Sequence, residues 1–577
     1  MRIAPLLFAL SFSISACTAH QPPVTSSAAN ARTTEKTVQK HHLNLAEMQP
    51  QFLYLAAQDA LENAQPALAI ELLSALIKKD PEALKPHLQL TELLLLARQF
   101  DQAKQHINSL LQGNAVTPEQ REHLQLALLR LYTAQGKNDT ALAGIKLFLN
   151  THPSNLAARN LQAKLLANMN RYDDALAALK KGIKQKDLPD FRLLQAQLLI
   201  KKRDFINAAI ALKRMQQLLP DHDTPILMLS ALALRENKHD KAESLLRDFL
   251  NKHPKAFRIA NALGQLLVKD QRLVEAILIY RDAAERSNNN PVILHALGML
   301  YFRHQDYGQA EAVFRQLVAI KPDDSSRFYL AASLEALNRM PEARKLYQTL
   351  GSSSLATEAQ LRLASIDVIN NDIDQAEQRL KNILQQEPMH LDALLMLSTI
   401  RLNQNKYQLL LDETEAIFAL PQSPPQLLFN RAIAFESLKQ YDQVEIMLNR
   451  VLQIEPDHAE AMNFLGYTYA IQSINLGKAE ALIHRALILK PGNGYYLDSL
   501  AWVYYKNGDF SKAITTQEKA LEITPDDAIM HEHYGDMLWR AGNKQAARQA
   551  WQKAIELKPD HIQAIKAKIN NGLTASQ

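Results

Sequence analysis

Cysteine is nearly absent from this chain: there is one in 577 residues. Zinc ribbons, iron–sulfur sites and disulfide frameworks each need several, so none of them can organise the fold. Glycine (16) and proline (24) are also few, which leaves little material for hairpin turns or phosphate-cradling loops. Charge of one sign is missing too, with 65 basic against 60 acidic residues and a net charge of +5. Such a balance lacks the chain-wide basic clustering of a nucleic-acid binder. Long apolar runs are absent apart from Ile3 to Ile14, twelve residues that follow Arg2. A run of that length is too short to span a bilayer but suits the apolar region of a signal peptide. What remains is rich in Ala, Leu, Gln, Lys and Glu, the vocabulary of helices. The chain is too long for one compact core, so several domains or an extended repeat array is expected.

The lone cysteine closes the apolar run. Ile14-Ser15-Ala16-Cys17 resembles the lipobox of bacterial lipoproteins: an aliphatic residue, two small residues, then the thiol that carries diacylglycerol as a thioether. The resemblance implies cleavage before Cys17 and acylation of Cys17, and more than one acyl chain is enough for stable anchoring. Thr18 rather than Asp follows the cysteine, which in the family's sorting rule implies the outer membrane. The alternative is an ordinary secretory signal cut after Ala19, with Cys17 discarded. Residues 1–16 are therefore read as the signal peptide and 17–45 as the lipidated N-terminus and tether. Thr18 to Lys40 is polar, carries Pro22-Pro23 and has no apolar period, as a disordered tether would. Some 30 flexible residues reach roughly 30 Å. His41-His42 reads as inert.

The rest repeats. An alanine opening the second helix of a hairpin recurs at Ala69, Ala103, Ala141, Ala175, Ala208, Ala242, Ala276, Ala310, Ala343 and Ala376. Leu409 and Val444 then substitute, followed by Ala479, Ala513 and Ala547. Spacings run from 33 to 38 residues. Twelve residues after the anchor there is usually a proline, such as Pro81, Pro254 or Pro525, which ends the second helix. Twelve before it there is usually a small residue, such as Ala57, Gly264 or Gly535, which lets the two helices approach closely. This pattern resembles the tetratricopeptide repeat over roughly residues 50–560. The resemblance implies an all-α, right-handed superhelical solenoid of about fifteen hairpins, stable as a nearest-neighbour sum, with first helices lining a concave surface. Irregularities at Gly351-Ser352-Ser353-Ser354 and Pro421-Gln422-Ser423-Pro424-Pro425 place a boundary between an N-terminal array, 46–355, and a C-terminal array with its end cap, 356–577.

Catalytic patterns are scarce. His531-Glu532-His533 has the wrong spacing for two ligands on one helical face. No Gly-rich phosphate loop and no Gly-x-Ser-x-Gly elbow occurs, and the 18 histidines are scattered. No enzyme activity, metal or cofactor is expected. Two local features stand out. From Lys180 to Arg214 ten basic residues face only Asp187, Asp190 and Asp204, with Lys180, Lys181, Lys184, Lys201, Lys202 and Arg203 as the densest part. This is either a solvated outer face or a patch for an acidic partner, anionic lipid or glycan. From Phe464 to Trp551 there are twelve aromatics in 88 residues, including all three tryptophans. Tyr504, Phe510, Tyr534 and Trp551 fall on interior repeat positions. Asp498, Trp502 and Tyr505 share the other side of a first helix, and Asp536, Trp539 and Arg540 repeat the arrangement one unit on. The repeat resemblance makes those positions concave-facing, and Trp, Tyr and Arg dominate binding hot spots. A protein-binding groove and the interior of a tightly packed end are both open.

Tyr496-Leu497-Asp498-Ser499-Leu500-Ala501-Trp502-Val503-Tyr504-Tyr505 and His533-Tyr534-Gly535-Asp536-Met537-Leu538-Trp539 resemble the last repeats of large proteobacterial tetratricopeptide lipoproteins of the outer membrane. One branch of these recruits a periplasmic carboxyl-terminal processing protease and presents cell-wall hydrolases to it. The resemblance implies a lipid-anchored scaffold facing the periplasm, with protein partners and no nucleic acid. An assembly scaffold for a pilus or exopolysaccharide secretion machine is a second reading, and a hydrolase a third.

Overall fold

A computed structural model describes residues 45, 47–112, 116–418, 423–559 and 561–573. The lipobox, the tether and His41-His42 lie outside the described residues. From Pro50 to Asn571 helix follows helix, and no strand occurs among the described residues. Most helices have 13 or 14 residues, and within each of two compact units neighbours in sequence pack antiparallel as hairpins. The array is a tetratricopeptide-type solenoid. No described helix is long and apolar enough to cross a membrane.

The repeat anchors are where the packing is tightest. Every anchor alanine from Ala69 to Ala376, then Val444, Ala479, Ala513 and Ala547, is fully buried. Leu409 is not: it is 40% exposed, while Leu410 is completely buried. The anchor of that unit is therefore Leu410. The backbone agrees. In nearly every hairpin a left-handed residue stands five positions before the anchor, as at Asn170, Asn237, Asn338, Asn371, Lys439 and Gly508. Asn405, with φ 58°, counts five residues to Leu410. Such turns favour Gly and Asn because a Cβ crowds the backbone there.

The small residue twelve positions before the anchor faces a large one four after it. A Cβ on Gly264 would fall inside the Tyr280 ring, and one on Gly535 inside the Trp551 indole. The long interval between Ala103 and Ala141 has its own cause. Helix Pro118–Ala134 has 17 residues, four more than the usual 13. Thr117 starts it with a capping box: its hydroxyl accepts from Gln120 N at 3.3 Å, and Gln120 Oε1 accepts from Thr117 N at 2.8 Å.

The described residues form two compact units, divided between Gln305 and Asp306. Both irregular segments lie inside the second. Near Gly351 the second helix, Met340–Gln348, is cut to nine residues. In the Leu410 hairpin the second helix breaks at Thr414, between Tyr407–Glu413 and Glu415–Phe418. Arg431, only 2% exposed, serves the broken end. Its guanidinium donates to Leu411 O at 2.9 Å, Thr414 Oγ1 at 2.8 Å and Glu415 at 2.6 Å, and lies 4.9 Å from the Phe418 ring centre. A buried arginine thus supplies the hydrogen bonds the interrupted helix lacks.

Candidate protein-binding site in the C-terminal repeats

The site rests on three first helices in succession, Gly494–Lys506, Ala528–Arg540 and the final helix Ile562–Asn571. Local chemistry sets their starts. Asn493 accepts from Tyr495 N and Tyr496 N at 3.0 and 3.3 Å, and Asp527 from Ile529 N and Met530 N at 2.9 and 3.0 Å. Gly508 and Gly542, at φ 80° and 90°, reverse the chain into the second helices.

Asp498, Trp502 and Tyr505 do lie along one side of their helix, but that side meets the next repeat. Asp498 is buried and accepts from His533 Nδ1 at 2.9 Å and Gln517 Nε2 at 2.8 Å. His533 is buried beside it. Burial alone would lower its pKa, but the Asp498 charge beside it, with Asp536 and Glu532 nearby, raises it above the ordinary value. The Trp502 ring stacks on His533, centroids 4.2 Å apart, and on Tyr505 at 4.8 Å. Tyr505 is buried, and its hydroxyl meets Arg540 of the following first helix. Trp502 is half-buried, with Lys506 Nζ 5.2 Å from the ring centre.

Asp536 and Trp539 repeat this against the last helix. Asp536 is buried, accepting from Trp551 Nε1 at 2.9 Å and Lys568 Nζ at 2.6 Å. Burial raises the Asp536 pKa in spite of Lys568. Glu532, one turn earlier, accepts from Lys568 at 2.7 Å and from His561 Nε2 at 2.5 Å. Its burial would raise the pKa, yet the Lys568 charge and these bonds hold it below the usual range. Trp539 packs on Trp551 at 5.4 Å, with Lys544 and Arg548 each 5.3 Å from its ring centre. Gly572 closes over it so tightly that a Cβ would strike the indole.

The six residues expected to form one open concave face therefore make two consecutive inter-repeat junctions. Asp498, Tyr505 and Asp536 are buried in them, while Trp502, Trp539 and Arg540 are half-buried. Trp551 is fully buried, as its repeat position implies. Tyr504 and Tyr534, expected inside, are half-buried and donate to Glu480 at 3.2 Å and Glu518 at 2.7 Å. The residues that complete the junctions, Gln517, His533 and Lys568, were not singled out from sequence. One signal pointed to His533: it lies 35 residues from Asp498, one repeat plus one.

In the other unit the basic cluster divides. Arg192 and Arg214 both pair with Asp187, at 2.6 and 2.7 Å, and Lys202 pairs with Asp173. Asp187 is held below the usual carboxylate range, chiefly by its hydrogen bond from Arg192. Lys201 stands 5.7 Å from the Tyr172 ring centre. Lys180, Lys181, Lys184 and Arg203 are exposed. Among the described residues no group of three or more His, Cys, Asp or Glu could hold a metal ion.

Comparison with known proteins agrees with the architecture. A tetratricopeptide-repeat family model matches residues 499–562, and a coatomer epsilon subunit model matches 102–327. A TPR repeat-containing protein of Pseudomonas aeruginosa is 29% identical over 220 residues, 37% of this chain and 36% of the relative. A BBSome complex member homologue of Drosophila melanogaster is 23% identical, over 56% of this chain and 62% of its own. A signal recognition particle subunit of Homo sapiens is 25% identical, over 32% and 29%. The chain thus spans less than two thirds of the length of each of these relatives. Among solved structures, an anaphase-promoting-complex hetero-tetramer, Cut9–Hcn1, aligns at a TM-score of 0.37 and 15% identity, covering 86% of this chain and 97% of that one.

Proposed function

We propose that this chain is an outer-membrane-anchored scaffold facing the periplasm, which recruits a periplasmic carboxyl-terminal processing protease or a cell-wall hydrolase and presents substrates to it. The tetratricopeptide fold supports protein binding as the underlying activity. The observation that carries the reading is Trp502. Its ring is fixed by stacking on His533 and Tyr505, yet it is only partly buried, and Lys506 Nζ lies over it. A rigid, partly exposed indole next to a cation is what a hot spot requires, because little side-chain freedom is lost when a partner covers it. The Ile14–Cys17 motif supports the anchor, and the resemblance of the Tyr496–Tyr505 and His533–Trp539 segments supports the adaptor branch.

The test is affinity purification from detergent-solubilised envelope, comparing the native chain with Trp502→Ala and identifying what co-elutes. A periplasmic protease or cell-wall hydrolase lost in the variant supports the reading. Recovery of pilus or polysaccharide-export components alone would replace it with an assembly scaffold.

A further inference from the structure

The basic cluster gains a geometry that the sequence does not show. Helices Tyr172–Gln185 and Phe205–Leu218 are the second helices of adjacent hairpins, and both pack on Pro189–Lys201 between them. Two ion pairs set their relative register. Lys202, just before the later helix, reaches Asp173 at the start of the earlier one. Arg214, near the end of the later helix, reaches Asp187, just past the end of the earlier one, at 2.7 Å. Start is tied to start and end to end, so the helices run parallel and in step.

Each then presents the same stripe to solvent. Counted from the anchors Ala175 and Ala208, Lys180 and Lys213 hold one position and Lys181 and Arg214 the next, with Lys184 one turn further. At 100° per residue, Ile206, Ile210, Lys213 and Arg214 fall on one helical face, as i, i+4, i+7 and i+8. Ile206 is 76% exposed and Ile210 59%, although neither is needed for the core. Lys202 and Arg203 precede this aliphatic pair and Lys213 follows it. The acidic residues nearby are mostly engaged: Asp173 by Lys202, Asp174 by Arg171, Asp187 by Arg192 and Arg214, and Asp204 as the cap of its helix. Asp173, Asp174 and Asp190 remain exposed.

We infer that this face docks on an anionic phospholipid surface, with Ile206 and Ile210 entering the headgroup boundary and Lys180, Lys181, Lys184, Arg203 and Lys213 meeting lipid phosphates. Projecting aliphatic side chains flanked by lysines are the pattern by which helices lie on membranes. Each Lys or Arg near an anionic leaflet strengthens binding about fivefold. An acidic protein would satisfy the lysines but gives no reason for two prominent isoleucines between them. The contact does not depend on acylation at Cys17, and it is separate from the Trp502 site.

The chain's single cysteine makes the test local. In the full chain carrying Cys17→Ser, Ile210→Cys is labelled with an environment-sensitive fluorophore, and a second sample carries the label at Ile488→Cys, a still more open position in the other unit (77% exposed). Both are titrated with phosphatidylcholine vesicles with and without about 30% phosphatidylglycerol. The expected result is a blue shift at position 210 on anionic vesicles only, with none at 488. Charge reversal by Lys180→Glu, Lys181→Glu and Lys184→Glu should weaken the half-saturation at least about tenfold with helicity unchanged. If the triple variant fails to fold, the unreversed protein in roughly 0.5 M salt makes the same comparison. The proposal is overturned by no shift at 210, by equal shifts at both sites, or by indifference to both charge reversal and salt. A shift produced by polyglutamate but not by vesicles would assign the face to an acidic protein instead.

Discussion

The Lys568 ammonium lies 2.6 Å from a carboxylate oxygen of Asp536, and this pair holds the last helix on the array. Asp536 and Glu532 are both buried, so their charges depend on the one lysine that reaches them. Burial would lower the Lys568 pKa, but the two carboxylates raise it.

Lys568→Met should therefore leave the enclosed Asp536 without its cation and Glu532 with His561 alone. The expected loss is about 3 kcal/mol, the usual cost of breaking a buried pair from one side. Because a repeat array frays from its ends, hydrogen exchange should speed up across 528–571 and stay unchanged in 50–112. Uniform protection in both segments would show that the contact adds no stability.

The three tryptophans should separate by role. Trp551→Ala empties a fully buried site and should lower stability by about 3–5 kcal/mol. Trp539→Ala should follow it, since Trp551 and Gly572 enclose that ring. Trp502→Ala should lose less stability but about 2 kcal/mol of partner affinity, roughly thirtyfold. Urea midpoints together with partner affinities decide; a Trp502 variant as unstable as Trp551→Ala, with unchanged affinity per folded molecule, removes the site.

His533 should make the terminal repeats pH-sensitive. Its folded pKa is raised by Asp498, so its stabilising contribution is fully present below the unfolded value of about 6.5. That contribution is lost as pH rises through the folded value. Unfolding of this end should thus need more urea at pH 6 than at pH 9. His533→Gln should flatten the dependence, while Lys568, raised above its ordinary 10.5, remains charged throughout the window.

Turn chemistry gives a stabilising change. Lys439 holds φ 59°, a conformation that costs an ordinary side chain roughly 1 kcal/mol. Lys439→Gly should raise the urea midpoint by up to about 1 kcal/mol of stability. Gly508→Ala, at φ 80°, should move it the other way by a similar amount.

Much of this architecture was legible in the chain because a nearest-neighbour fold writes the same local rule many times. The anchor alanine, the small residue twelve before it and the large one four after it are one packing contact repeated, and period alone reveals it. Legibility failed where the repeated residue was replaced. Leu409, Leu410 and Leu411 are chemically identical, so composition could not choose the anchor; burial and the turn at Asn405 chose Leu410. The break at Thr414 was equally hidden, since the side chain that stabilises it, Arg431, comes from the next hairpin.

By itself the sequence determined the helix count per repeat, the register of nearly every hairpin and the positions where aromatics and bases gather. Each depends only on residues a few turns apart on the same chain segment. The tertiary structure decided which of those side chains are free. Asp498, Tyr505 and Asp536 carry the residue types of a binding face, yet stacking covers them with His533, Arg540 and Lys568 from the next repeat. Helical periodicity says which side of a helix a residue occupies, whereas its exposure depends on how closely the neighbouring helix approaches. That distance is set by pairs such as Gly535 and Trp551, whose packing exists only once the hairpins have stacked.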